Sequence, residues 1–229
     1  MASLASPDEL LATLSERFTP DALAEFDSLL ASPGVTEWEH PVIVGLARRC
    51  FNLQKHLRRA HEESDPHYLA SAARTLVEVN VFTEYVTSSE EQMRRFYQDL
   101  FVDGNTALNA ATKSLDLLPH DHQGVAEGRK IVDNSRPALK EHSDANEASG
   151  LKGFLSLASL AQSQGSDAEF RMANTALSRF THATAASILA GLAPAELAKQ
   201  FGSFLQLGAD NAVDALVKLQ QYVQYRQQP

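Results

Sequence analysis

Arg74 and Glu78 stand four residues apart, and further along the chain Asn174, Ser178 and His182 follow one another at steps of four, flanked by Arg171 and Thr175. At helical spacing each set falls on a single face. The residue types define the chemistry such faces can do. Arg74 can hold an anion or stabilise developing negative charge, and it can equally pair with Glu78. His182, oriented by Glu78, would be a general base, which makes phosphodiester cleavage the hydrolase reaction these side chains would serve. Asn174, Ser178 and His182 can also simply donate and accept hydrogen bonds to a small ligand. Ser178 is a poor nucleophile here, because a serine and a histidine one turn apart do not align as an attacking pair and no oxyanion hole is readable. A third reading is structural: Arg74, Glu78, Ser178 and His182 as a buried network that fixes helix register.

The elements that must carry these side chains are unusual. Around Arg74 and Glu78 the residues are Ala70, Ala72, Ala73, Leu76, Val77, Val79, Val81 and Phe82, apolar on nearly every side. A helix of that composition is buried on most of its surface, so a guanidinium or carboxylate on it needs a partner. The cation-first order of Arg74 and Glu78 is the weaker one for an exposed pair, which also points inward. The helix at 167–192 presents Ala173, Ala176, Leu177, Phe180, Ala183, Ala185 and Ala186 around its polar stripe, a small-residue surface suited to close packing.

Helix starts are marked throughout. Ser6-Pro7-Asp8-Glu9 reads as a capping box, Thr19-Pro20 and Asp65-Pro66 as capped starts, and Ser88 with Glu91 and Ser166 with Glu169 as further boxes. The spacing predicts helices over 41–62, 66–87, 88–118 (with a break at Asp103-Gly104), 121–142 (kinked or ended by Pro137), 151–164, 167–192 and from Pro194 onward. Val77-Glu78-Val79-Asn80-Val81 alternates as a strand would, but no turn signal flanks it, and it is read as helix. The fold expected is an all-α helical bundle of about eight or nine helices in a single domain, 1–229. Within it, residues 1–40 form a helical hairpin packed on a main bundle of 41–229. The last helix carries Leu197, Phe201, Leu205, Ala212, Leu216 and Val223 on one stripe, which can serve the core or a homodimer.

The segment Ala73-Arg74-Thr75-Leu76-Val77-Glu78, followed by Tyr85, resembles the Arg-x-Leu-x-Glu helix of a bacterial all-helical domain-of-unknown-function family. Leu177-Ser178-Arg179-Phe180-Thr181-His182 is similar to that family's second element, Leu-Ser-x-x-x-His. The resemblance covers mainly residues 45–190. It implies an all-helical fold and a site containing Arg74, Glu78, Ser178 and His182, with no activity attached.

Composition narrows the rest. With 20 Lys plus Arg against 29 Asp plus Glu, the net charge of -9 makes nucleic acid an unlikely partner and leaves a small ligand, an anion at Arg74 among the candidates. One cysteine, Cys50, excludes an internal disulfide and a Cys-rich zinc site. The chain lacks any apolar run of about 18 residues and starts without a signal-peptide pattern, so a cytoplasmic protein off the membrane is expected. Neither a metal nor a cofactor is expected. Glu37-Trp38-Glu39-His40 is the one Glu-x-x-His where a di-metal bundle needs two, and His120-Asp121-His122 reads as a solvated turn. Arg49 to His56 and Arg136 to His142 match a loose ribonuclease pattern that arises by chance about once in such a chain. Arg48, Arg49, Lys55, Arg58 and Arg59 nevertheless concentrate positive charge on one helix, with His56 and His61 nearby.

Overall fold

A computed structural model describes residues 5–31, 34–119, 124–148, 156–181 and 194–228. Among these the chain forms α1 (Pro7–Arg17), α2 (Pro20–Leu30), α3 (Glu39–Glu62), α4 (Pro66–Ser88), α5 (Glu90–Asp116), α6 (Val125–Ala148), α7 (Leu157–Ser163), α8 (Asp167–Thr181) and α9 (Pro194–Arg226). No strand occurs among the described residues, and Val77–Val81 is helical. The protein is an all-α helical bundle.

The caps act largely as their sequences direct. Ser6 and Glu9 complete their reciprocal box, Thr19 Oγ1 accepts from the Ala22 amide, and the Asp65 carboxylate accepts from the amides of His67 and Tyr68. At α5 the cap is Ser89, accepting from the Gln92 amide, rather than Ser88. Ser88 still belongs to α4, where its hydroxyl donates to the Glu84 carbonyl. Helix α5 runs unbroken through Asp103-Gly104, since the missing side chain at Gly104 admits Leu139 of α6, whose Cδ2 lies 3.0 Å from the position a Cβ would take. Helix α6 likewise continues past Pro137 to Ala148. Proline removes the hydrogen bond to the carbonyl four residues back, but Asp133 is on the exposed side, where water can satisfy it.

Helix α4 is the centre of the assembly. It packs against α3, α5, α7, α8 and α9, and Leu69, Ala73, Leu76 and Val86 on it are fully buried. Helix α9 lies along it, burying Leu205, Ala212, Ala215, Leu219 and Val223. Leu205, Ala212, Leu216 and Val223 are thereby used inside the chain, so a dimer through α9 would need another of its faces. Helix α1 packs on α9, and α2 on α3 and α9. Helix α6 rests mainly on α5.

Helices α3, α4 and α9 come close together at Gly208. A Cβ there would sit 2.7 Å from Leu57 Cδ1 and 3.3 Å from the Ala73 Cα, so a side chain would push the helices apart. Gly45 on α3 is the opposite case, with nothing within 4 Å of its Cβ position. Mid-helix glycine costs about 0.5–1 kcal/mol against alanine, whereas overpacking costs about 1–3 kcal/mol. Gly208→Ala is therefore expected to lower unfolding stability by about 1–2 kcal/mol and Gly45→Ala to raise it by about 0.5 kcal/mol. Urea denaturation of both variants checks this, and a stabilised Gly208→Ala would contradict the packing described.

Candidate functional site

Helix α8 runs antiparallel to α4 and buries Phe170, Ala173, Leu177 and Phe180, a stripe at spacings of three and four. Its C-terminal end is tied to the start of α4, and the turn that precedes it to the end of α4. His67 Nδ1, which must carry the proton to meet a carbonyl, donates to Phe180 O at 2.7 Å, and Ser88 Oγ contacts Gln164 Oε1 at 3.1 Å.

Arg74 and Glu78 meet on this seam. Arg74 Nε donates to Glu78 Oε1 at 3.1 Å, and its Nη1 reaches Thr181 Oγ1 on α8 at 3.4 Å. Both side chains are about a quarter exposed, so the pair is a half-buried bridge and not a sealed core charge. Thr181 in turn donates to the Ser178 carbonyl at 3.3 Å. Asn174 and Ser178 flank the buried stripe and are half-buried. His182 lies outside the described residues, as does His120-Asp121-His122. Thus Arg74, Glu78 and the C-terminal turn of α8 come together, and Thr181, absent from the expected set, is the α8 side chain that Arg74 touches.

A larger polar feature opens further along the same seam. A cleft of about 290 Å³ lies between α4, α8 and α9, with Asn80, Glu84, Ser166, Glu169, Asn211, Asp214 and Lys218 as its polar lining. The polar groups form a ladder across α4 and α9. Lys218 Nζ lies 2.8 Å from Asp214 Oδ2 and 3.5 Å from Glu84 Oε2. Asn80 Nδ2 donates to Asn211 Oδ1 at 2.9 Å and to Asp214 Oδ2 at 3.0 Å, and Asn211 Nδ2 donates to the Leu207 carbonyl. A carboxylate only accepts, so the Asn80 amide nitrogen must face Asp214. That leaves Asn80 Oδ1 buried without a hydrogen-bond partner. Three carboxylates against one ammonium make the cleft acidic, and Glu169 on its α8 rim is in no ion pair among the described residues. The sequence signal for this site was Asn80, a polar residue inside an apolar run that reads equally well as half of a strand alternation.

A second polar constellation sits at the far end of α9. Glu39 is fully buried at the start of α3. Its carboxylate accepts from the Thr36 amide and hydroxyl, both at 2.7 Å, and from Tyr222 Oη at 2.6 Å, while Arg226 Nη2 lies 3.3 Å away. Arg226 also reaches Glu90 at 3.6 Å. Gly34, at φ 120°, lies so close to the Arg226 carbonyl that no side chain fits. Burial alone would push the Glu39 carboxyl up and is the largest single influence. The hydrogen bonds from Tyr222 and Thr36, with the Arg226 charge, outweigh it and hold Glu39 below the usual carboxylate range. The Tyr222 phenol moves up, first through burial and then through its bond to Glu39. Both carboxylate oxygens accept hydrogen bonds, so this is a clasp between α3 and α9. Cys50 is also inert, because burial pushes its thiol up to about 12.

Among the described residues no cluster of three or more His, Cys, Asp or Glu is placed to hold a metal, and no helix is long and apolar enough to cross a membrane. Fold and site together define an all-α bundle with a polar interhelical cleft. The chain belongs to the family of unknown function DUF5677, whose family model matches residues 40–193. That span contains the 45–190 stretch carrying the resemblance and runs from α3 through α8, so Asn80, Glu84 and Glu169 lie within the match and the α9 side of the cleft lies beyond it. No curated protein and no solved structure matches the chain.

The Glu39 clasp generates a pH prediction. A carboxyl held below its unfolded value contributes stability that is fully present above the unfolded pKa and lost as pH falls through the folded one. Glu39→Gln should therefore cost about 2–3 kcal/mol at pH 7. Its deficit relative to the wild type should shrink as pH drops from about 5 toward 3. Chemical denaturation across this range measures it, and a deficit independent of pH would contradict an ionised Glu39.

Proposed function

We propose that the protein is a helical binding protein whose ligand site is the polar cleft between α4, α8 and α9, and that the ligand is a small organic cation with N–H donors. The observation that carries this reading is Asn80 Oδ1, a buried acceptor with no partner in the wall of an acidic cleft. A ligand N–H at that atom would remove the cost of leaving the acceptor unsatisfied, about 1–3 kcal/mol. Glu169, with no ion pair of its own among the described residues, supplies a counter-charge at the rim. Lys218 is already held between Asp214 and Glu84, so its charge does not oppose a cation.

The Arg74–Glu78 bridge enters this proposal as a support. It ties α4 to Thr181 and so holds α8 against the cleft's other walls. An anion at Arg74 would have to compete with Glu78 for the same guanidinium, which makes the cation at the cleft the simpler ligand. A chain kept in a reducing compartment suits a protein whose one thiol is buried.

Calorimetric titration with putrescine, and with succinate as the anion of matched chain length, tests the proposal. The expectation is saturable putrescine binding, no succinate binding, and about threefold to tenfold weaker putrescine affinity in Glu169→Gln. Glu169 is exposed, so that variant leaves the fold intact. Preference for succinate, or affinity unchanged in Glu169→Gln, would overturn it.

A further inference from the structure

Helix α3 presents Pro41, Val42, Gly45, Leu46 and Arg49 along one face, toward α4 and α5. Between the three helices lies an apolar groove of about 350 Å³, walled also by Val79, Phe82, Phe96 and Tyr97. This is the size and lining of a small-molecule site, apolar with a single polar anchor. The aromatic wall is held in place. Phe82 and Phe96 meet edge to face at 5.2 Å, and Tyr97 is set between Trp38 at 6.1 Å and Phe101 at 5.2 Å.

Arg49 is the one charged side chain among the described residues of this wall. On α3, Arg48 pairs with Asp27 at 3.9 Å and Arg59 with Glu63 at 2.8 Å, while Lys55 and Arg58, which do not line the groove, are in no ion pair among the described residues. Arg49 has no carboxylate within 4.0 Å among the described residues, so its guanidinium is available to an incoming anion. Gly45 adds an independent observation. No neighbouring atom lies within 4 Å of where its Cβ would be, so packing does not require glycine there. Gly45 itself lines the groove, so a large side chain there is placed to narrow it.

We propose that this groove is a second binding site, for a small amphipathic carboxylate whose tail lies against Phe82, Phe96 and Tyr97 and whose head group pairs with Arg49. A guanidinium pairs with a carboxylate through two parallel hydrogen bonds and gives an alcohol or an ammonium no such match. The apolar wall fixes the tail, and the charge selects the head. The site is separate from the acidic cleft and takes a ligand of the opposite sign.

Octanoate, octanol and octylammonium share a tail and differ only in the head, so titrating all three into the full chain separates the two contributions. Octanoate should bind about tenfold more tightly than octanol, and octylammonium more weakly than either. Arg49→Gln, on an exposed side chain, should bring octanoate down to the affinity of octanol. Gly45→Leu should abolish binding of all three while the melting temperature stays at or above that of the wild type. Octylammonium binding as tightly as octanoate, or octanoate binding unchanged in a folded Gly45→Leu variant, would overturn the proposal, as would no saturable binding of octanoate to the wild type.

Discussion

The burial of α4 is the constraint on which the rest of the structure depends. Among the described residues five other helices pack on it, and at its contact with α9 a methyl group on Gly208 would lie 3.3 Å from the Ala73 Cα and closer still to Leu57 of α3. A helix enclosed in this way has almost no solvent face. Every polar side chain on it must find a partner on a neighbouring helix or accept a desolvation penalty of about 1–3 kcal/mol. Arg74 and Glu78 find each other and Thr181, Glu84 finds Lys218, and Asn80 spans Asn211 and Asp214. The polar seams are therefore a consequence of placing a mixed sequence at the centre of the bundle. Among the described residues of α4 that accommodation is incomplete at two atoms, Asn80 Oδ1 in the cleft wall and Thr83 Oγ1 outside it.

Different faces of the same helix also line the two concave regions. Val79 and Phe82 contribute to the apolar groove beside α3 and α5, while Asn80 and Glu84 contribute to the polar cleft beside α8 and α9. Successive residues on a helix turn through about 100°, so Val79 and Asn80 are directed to different neighbours. The strand-like alternation at Val77–Val81 has this origin. It is a helix whose polar residues are sent to separate partners, with Glu78 toward Arg74 and Asn80 toward α9.

Much of the fold was legible because its determinants are local. Ser6-Pro7-Asp8-Glu9, Thr19-Pro20 and Asp65-Pro66 cap helices with atoms no more than three residues away, and an apolar surface on all sides of 67–87 left burial as the only stable outcome. The errors were local too. Ser88 and Ser89 compete for one cap, and Pro137 and Gly104 interrupt helices only where solvent or a neighbour does not compensate. The site was less legible because its partners are distant in sequence. Asn80 meets residues more than 130 positions away, and Tyr222 meets Glu39 across 183. Glu39 read only as a residue between Glu37 and His40 of a lone Glu-x-x-His, whereas its actual partners, Thr36, Tyr222 and Arg226, make it a structural anion. The spacing of Arg74 and Glu78 correctly implied a shared face, but nothing local indicated that α8 would offer Thr181 to it.

Binding of a small organic cation at Asn80, in the cleft between α4, α8 and α9, can be followed through side-chain amide resonances during a putrescine titration. Saturable shifts of the Asn80 and Asn211 amide groups are expected, with the other asparagine side chains distant from the cleft unmoved. Stationary Asn80 and Asn211 resonances at ligand concentrations that shift signals elsewhere would contradict it.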